Sequence, residues 1–211
     1  LFANLANSNN AFGFKSLTAN TTGGANNAFG NFVLAANTTG VRNNAFGYNA
    51  LGANTIGIDN NAFGYYALKA NTTGSYNVAI GNRSLRSNTI GTNNTAVGHD
   101  SLFSNTTGIN NTAVGYQSSY YNTVGTANTA VGFGSLLNNT VSNNSAFGYK
   151  SLFTNTTGYN NTAVGYHTLT LNTVGYNNVA IGLQSLYSNI SGARNNAVGV
   201  NALHLNTIGS H

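Results

Sequence analysis

The sequence predicts an all-β protein that folds as a parallel β-solenoid, and three observations support this. The tripeptide Ala-(Phe/Ile/Val)-Gly recurs through the 211 residues with a step of 17, apart from one step of 16 between Ala130 and Ala146. Apolar positions within the repeat do not follow the spacing of three and four that a helical face requires. Glycine and asparagine separate short segments rich in β-branched and aromatic residues, which is typical of strands joined by tight turns. We therefore expect about twelve turns stacked at about 4.8 Å, which makes a rod.

Stacking in register places the same repeat position of every turn in one column. We number each repeat from the alanine of its tripeptide. Position 2 is always large and apolar, position 7 is leucine except at Ser119, and position 12 is a mixture of Thr, Ile and Val. We predict that these three columns form the core. The columns at positions 2 and 7 include Phe12, Phe29, Phe46, Phe63, Ile80, Val97 and Val114, and Leu17, Leu34, Leu51, Leu68, Leu85 and Leu102.

Positions 10 and 16 are asparagine in every complete copy. In a stack, each side-chain amide can donate to the side-chain carbonyl of its equivalent one turn away, so both columns predict asparagine ladders. Asparagine also tolerates a left-handed corner, and we expect these columns to lie at corners. The position 10 ladder comprises Asn20, Asn37, Asn54, Asn71, Asn88, Asn105, Asn122, Asn139, Asn155, Asn172, Asn189 and Asn206.

Composition excludes several classes of function. The chain has seven basic and two acidic residues, Asp59 and Asp100, and no cysteine. It therefore lacks the carboxylates and thiolates for acid–base catalysis or for calcium and zinc sites, and we predict no cofactor and no metal. The net charge of +5 is spread along the chain, which argues against nucleic-acid binding, and no apolar run is long enough for membrane insertion. The chain begins within a repeat, so we expect residues 1–211 to form a single repeat domain within a longer fibrous protein.

Three local motifs suggest chemistry but have simpler explanations. His99-Asp100-Ser101 contains hydrolase residue types, yet adjacent residues of a strand point to opposite faces, so we predict no catalytic relay and no enzyme. The four histidines occupy different repeat positions apart from a loose grouping near the C-terminus, and we predict that they face solvent. Gly132-Phe133-Gly134 lacks the rest of a phosphate-binding fingerprint and indicates a turn.

Threonine and asparagine also form patterns with a surface interpretation. Position 11 is threonine in all copies but one, which contains Ile190. Such a hydroxyl file leaves an ice-binding solenoid as an alternative. Triplets such as Asn20-Thr21-Thr22 and Asn105-Thr106-Thr107 match the glycosylation acceptor pattern.

Aromatic residues are the candidate contact surface. The variable positions after the leucine become bulky in the middle and later copies, at Phe103, Tyr120, Tyr121, Phe153 and Tyr187. These side chains could stack on sugars, or they could pack between chains of an oligomer. The small Ala and Gly of the tripeptide face the narrow interior or a seam between copies. Because one thin coil cannot bury every apolar column, we expect a homotrimer.

The repeat resembles known fibrous proteins. Asn77-Val78-Ala79-Ile80-Gly81 and Asn178-Val179-Ala180-Ile181-Gly182 are similar to the core pentapeptide of the head repeats of trimeric autotransporter adhesins. The unit from Asn94 to Gly108 resembles repeats of phage and other viral tail fibres. The resemblance implies a trimer of left-handed β-rolls on a cell or virion surface, although the adhesin repeat is a few residues shorter.

These observations predict a structural or adhesive extracellular fibre module, a rigid rod that presents a binding surface. Its expected partners are copies of itself and a host-surface glycan or protein. Two alternatives remain: a subunit that polymerises end to end into a filament, and the ice-binding solenoid.

Overall fold

The computed structural model describes residues 8–210, which fold into two compact units, the first ending at Thr107 and the second beginning at Gly108. Leu1 to Asn4, predicted to end a turn, lie outside the described residues, as does His211. Each turn contributes one short strand. In the first unit these are β1 (Asn10–Phe12), β2 (Asn27–Phe29), β3 (Asn44–Phe46), β4 (Asn61–Phe63), β5 (Val78–Ile80) and β6 (Thr95–Val97), and in the second they are β7 (Thr112–Val114), β8 (Thr129–Val131), β9 (Ser145–Phe147), β10 (Thr162–Val164), β11 (Val179–Ile181) and β12 (Asn196–Val198).

Within each unit, successive strands pair in parallel with equal repeat positions opposite each other. Ala28 in β2 lies opposite Ala11 in β1 and Ala45 in β3. The shortened repeat keeps this register, because Ala130 in β8 lies opposite Ala146 in β9. The predicted all-β parallel β-solenoid, with one repeat in each turn, is therefore confirmed for each unit.

Backbone hydrogen bonds between turns continue outside the strands. Leu34 donates its backbone N–H to the carbonyl of Ala50 at 3.2 Å, and Thr38 donates to Thr55 at 2.9 Å. Bonds in the opposite direction alternate with these, as from Arg42 to Gly24 at 3.0 Å. The turns are thus joined around most of their circumference, although only a small part of each is strand.

Left-handed backbone occurs at repeat positions 5, 7 and 15, and this corrects the expectation for the asparagine ladders. Examples are Tyr66 (φ 59°), Leu68 (φ 50°) and Asp59 (φ 56°). Such backbone costs about 1–2 kcal/mol for a residue with a side chain, so the inter-turn hydrogen bonds must offset it. The ladder asparagines at positions 10 and 16 do not have positive φ in the described residues.

The core is narrower than predicted. The Leu column is buried as expected, apart from the half-exposed Leu203 in the last turn. Its partners are the alanines of the strands, as with Leu51 and Ala45, both fully buried. Position 6, which was not among the predicted core columns, is also buried and is usually serine. The serine hydroxyl donates to the carbonyl of the glycine at position 3, as from Ser84 to Gly81 at 3.1 Å. The interior is the small-residue face of the strands.

Two of the predicted core columns are wrong. The side chains at position 2 project outwards because the leucines and asparagines leave room only for a methyl group on the inner face. Position 12 is likewise on the surface, and its Ile56 and Val124 are more than half exposed. The side chains of position 2 that were predicted to lie in the core are exposed or half-buried: Phe12, Phe29, Phe46, Phe63, Ile80, Val97 and Val114.

Both asparagine ladders are present within each unit. At position 10, Asn54 donates from Nδ2 to Oδ1 of Asn37 at 2.8 Å, and Nδ2 also donates to the carbonyl of Gly57 at 3.1 Å. At position 16, the Oδ1 of Asn26 accepts from both the backbone N–H and the Nδ2 of Asn43, at 2.9 and 3.2 Å. These four asparagines are fully buried, so their amides satisfy one another and the backbone without water.

Candidate binding faces

The large side chains at repeat position 2 form an apolar ridge on the outside of the strands. In the first unit the rings of Phe29, Phe46 and Phe63 are stacked with centroids 4.8 and 4.9 Å apart. Each ring therefore covers the face of the next, and the ridge presents ring edges to solvent. A row of large apolar side chains on one surface is a feature of protein interfaces.

A second aromatic row, at position 4, is clearest in the second unit. The rings of Tyr116, Phe133, Tyr149 and Tyr166 follow one another at 5.2–5.3 Å in stacked geometry, and all four side chains are exposed. The middle rings have both faces covered by neighbours. This row therefore offers edges and hydroxyl groups to a ligand, whereas stacking on a sugar requires a free ring face.

The five predicted contact aromatics lie on the surface, but most of them are half-buried against other side chains of the same chain. Only Tyr121 is exposed, and its ring meets that of Tyr120 edge to face at 4.7 Å. Phe103, Phe153 and Tyr187 are half-buried. Phe153 lies under the Nζ of Lys150 at 5.2 Å, and Tyr187 stacks on His204 at 5.2 Å. Their role in binding remains a prediction.

Both carboxylates of the described residues are neutralised by an arginine in the preceding turn. Arg42 contacts Asp59 with two nitrogens at 2.7 and 2.8 Å, and Arg83 does the same to Asp100 at 2.8 and 2.6 Å. The hydrogen bond from Arg42 lowers the pKa of Asp59 and raises that of the arginine itself. The remaining basic residues, Lys15, Lys69, Arg86, Lys150 and Arg194, account for the net charge of +5.

Three cations and two rings form what we call the cationic–aromatic cluster, composed of Tyr66, Lys69, Arg83, Arg86 and Phe103. The Nζ of Lys69 lies 4.5 Å from the Tyr66 centroid. The Cζ of Arg86 lies 5.8 Å from Tyr66 and 5.3 Å from Phe103, and that of Arg83 lies 5.4 Å from Phe103. Such distances are within the range of cation–π attraction, which holds these charges in place.

Of this cluster, the sequence indicated only Phe103 as a candidate contact residue, and the basic residues were predicted to be spread along the chain. A signal was nevertheless present, because Tyr66 and Arg83 are one repeat apart in the sequence, as are Lys69 and Arg86, and Arg86 and Phe103. A step of one repeat places these pairs next to each other in the stack. The charges looked dispersed only when they were counted along the chain.

The prediction for His99-Asp100-Ser101 used the wrong local geometry. This segment is a turn, and His99 Nδ1 lies 3.1 Å from Asp100 Oδ2, so adjacent side chains do meet. Asp100, however, is 2% exposed and bonded to Arg83, and Ser101 is buried with its hydroxyl donating to the carbonyl of Gly98 at 3.1 Å. The serine hydroxyl is therefore engaged in the fold rather than directed at a substrate.

The threonines of position 11 and the asparagines of the glycosylation triplets form hydrogen bonds or lie buried within the fold. The hydroxyl of Thr38 donates to the carbonyl of Thr55 at 3.1 Å, and Thr55 donates likewise to Thr72 at 3.0 Å. These hydroxyl hydrogens are directed at backbone rather than outwards. The acceptor asparagines Asn20 and Asn105 are buried ladder residues, so their amides are inaccessible to a glycosylating enzyme in the folded state.

Gly132-Phe133-Gly134 lies at the start of a turn, as predicted, and Gly134 has left-handed backbone (φ 60°). Among residues 8–210, no group of three or more metal-ligating side chains comes together. The part of the chain that the structure describes has no pocket and no helix able to cross a membrane.

Comparison with known proteins finds no match to this chain among family models, curated proteins or solved structures.

Proposed function

We propose that the chain is a rigid module of an extracellular fibre on a cell or virion surface, and that it assembles as a homotrimer. The observation that carries this proposal is the apolar ridge. Large apolar side chains stand outside the coil in every turn, including the stacked Phe29, Phe46 and Phe63, while alanine occupies the inside. An outer apolar column of this kind, in either unit, gains most by packing against the same column of another copy.

The internal bonding supports a mechanical role. In each unit the turns are joined by backbone hydrogen bonds and by two ladders of buried amides. Opening one turn would break many of these bonds together. The Asn-Val-Ala-Ile-Gly pentapeptides contain strands β5 and β11, and their similarity to adhesin head repeats supports the same kind of surface location.

The test is the mass of the chain in solution, measured by size-exclusion chromatography with light scattering. We expect three times the mass of one chain. Replacement of Phe46 and Phe63 by serine should give monomers with unchanged circular dichroism, because both rings are on the surface. The matched control, Tyr149→Ser with Tyr166→Ser, removes two aromatic rings from position 4 and should leave the trimer intact.

A monomer at every concentration would contradict the trimer. Open-ended polymers would favour the filament alternative, and a monomer that lowers the freezing point below the melting point would favour ice binding. The position 11 hydroxyls weaken the ice-binding alternative, because their hydrogens are donated to carbonyl groups.

A further inference from the structure

We propose that the cationic–aromatic cluster of the first unit binds an acidic polysaccharide through the carboxylates of successive sugar residues. The inference rests on the proposed surface location, where such polymers occur. Lys69 and Arg86 would hold the carboxylates, and Tyr66 and Phe103 would fix the two cations in position.

Charge is the first argument. Asp100 is bonded to Arg83 and Asp59 to Arg42, so no described carboxylate pairs with Lys69 or Arg86. The rings of Tyr66 and Phe103 hold the guanidinium of Arg86 in place. A guanidinium fixed in this way is preorganised for a carboxylate, which its planar fork fits.

Spacing is the second argument. Lys69 and Arg86 occupy position 8 of consecutive turns, so their backbones are about 4.8 Å apart along the stack. One hexose residue of an extended polysaccharide has a similar length, and a uronic acid polymer carries one carboxylate per residue. The phosphates of an extended single-stranded nucleic acid are more widely spaced.

The ring geometry distinguishes the two kinds of polyanion further. Single-stranded nucleic acids are bound by stacking bases on exposed aromatic faces. Here Tyr66 has Lys69 and Arg86 against it, and Phe103 has Arg83 and Arg86. The ring faces are therefore covered by the cations, and recognition of the polysaccharide depends on charge rather than on stacking.

The second unit supplies an internal comparison. Lys150 lies 5.4 Å from the Tyr149 centroid and 5.2 Å from that of Phe153, but it is a single cation, at position 5 of its turn. Lys15, at the same position of the first turn, is also alone beside Phe14 and Phe32. These isolated lysines should contribute little, because one exposed charge contact has a small free energy.

The experiment measures binding of calcium-free polygalacturonate to the intact chain by biolayer interferometry at low salt. Lys69→Gln with Arg86→Gln should raise the dissociation constant at least about tenfold, as expected for two charge contacts of about 0.7 kcal/mol or more each. The control Lys15→Gln with Lys150→Gln removes the same charge and should raise the dissociation constant no more than about twofold. Fully methyl-esterified polymer should not bind.

Four results would overturn the proposal: no binding by the wild-type chain, equal losses in the two double variants, equal binding of the esterified polymer, or tighter binding of oligothymidylate. If Lys69→Gln with Arg86→Gln shifts the thermal midpoint, two single variants that leave Arg86 in place decide instead. Lys69→Gln should weaken binding about threefold, and the charge-retaining Lys69→Arg should keep affinity within about twofold. A trimer that fails to bind refutes only this inference, whereas a monomer that binds refutes only the trimer.

Discussion

The first unit repeats its turn without a change in length, whereas the second unit contains one shortened turn and a turn with Ser119 in the leucine column. In a regular turn the carbonyl of Gly57 accepts from Asn54 and from Asn43, at 3.1 and 2.8 Å. In the short turn the carbonyl of Val141 accepts from Asn139 and from Asn128, both at 2.7 Å. The short turn lacks the glycine, but the carbonyl of Val141 accepts the two hydrogen bonds that the glycine carbonyl accepts in a regular turn.

This difference indicates what the repeat must keep. The turn requires a carbonyl at one point, where two buried amides converge, and it does not require the glycine itself. Glycine is needed in full-length turns because a Cβ there would collide with the backbone oxygen of the next turn, as between Gly74 and Gly91. Substitutions that exchange features of the two units test this interpretation.

The leucine column should give the largest effect. Leu68→Ser copies Ser119 into the regular unit and should lower the free energy of unfolding by about 4–5 kcal/mol, because it leaves a cavity and buries a hydroxyl. The reverse change, Ser119→Leu, should raise stability by about 1–3 kcal/mol, since the Ser119 hydroxyl is buried without a partner in the described residues. Urea unfolding measures both, and a destabilised S119L would contradict the equivalence of the two positions.

The asparagine ladder should come next. Asn71→Ala removes bonds to Asn54 at 2.9 Å and to Gly74 at 2.8 Å, and it removes the acceptor of Asn88. We expect a loss of about 3–4 kcal/mol because buried polar groups are left unpaired. The control Asn82→Ala, at an exposed position, should change stability by less than about 0.5 kcal/mol. Similar losses in the two variants would show that the ladder contributes nothing specific.

Glycine provides a less intuitive comparison. Gly74→Ala should cost about 3 kcal/mol, because its Cβ would meet the backbone oxygen of Gly91 and Oδ1 of Asn71. Deletion of Gly74 should cost about 1–2 kcal/mol less, because the shortened turn can present the Thr73 carbonyl as Val141 does. Thermal midpoints of the two variants would settle the order, and a deletion more harmful than the substitution would be evidence against this view of the short turn.

The smallest effect should be a pH dependence confined to the second unit. Burial and the nearby Lys150 lower the pKa of His167 below its usual 6.5, and Tyr149, Tyr166 and Tyr187 are the other titratable groups around it. The folded state then binds fewer protons than the unfolded state, so stability is complete above pH 6.5 and falls as the pH drops towards the folded pKa. His167→Gln should reduce the loss of stability between about pH 7 and 5, measured by urea unfolding at each pH. An unchanged dependence of stability on pH would show that another group causes the loss.

The sequence contained enough to predict the stacking, the register, both asparagine ladders and the leucine column, because each depends only on the same residue recurring at the same point of every repeat. It did not reveal which strand face is inside. The alternation of side chains along a strand places Ala45 and Phe46 on opposite faces, but it does not say which face is inside. That depends on the width of the interior, which is set by how far the leucine and the two asparagines extend across the turn. Large apolar residues at position 2 therefore suggested a core that the coil has no room to hold.

The left-handed positions and the cationic–aromatic cluster were hidden for a different reason. Positions 5 and 15 contain residues as unlike as Lys15, Tyr66 and Arg42, so composition gives no indication of their backbone. The contacts of Lys69 and Arg86 depend on neighbours one turn away, and this becomes visible only when the chain is written out turn by turn.

The central claim is that turns stack in register with alanine, leucine and asparagine inside and the apolar ridge outside. Solution NMR with a soluble paramagnetic agent tests this most directly in the monomeric Phe46→Ser and Phe63→Ser variant. We predict contacts between the methyl groups of Ala28 and Ala45, no broadening of these signals, and strong broadening of the Phe29 ring. Broadened alanine methyls with a protected Phe29 ring would contradict the claim.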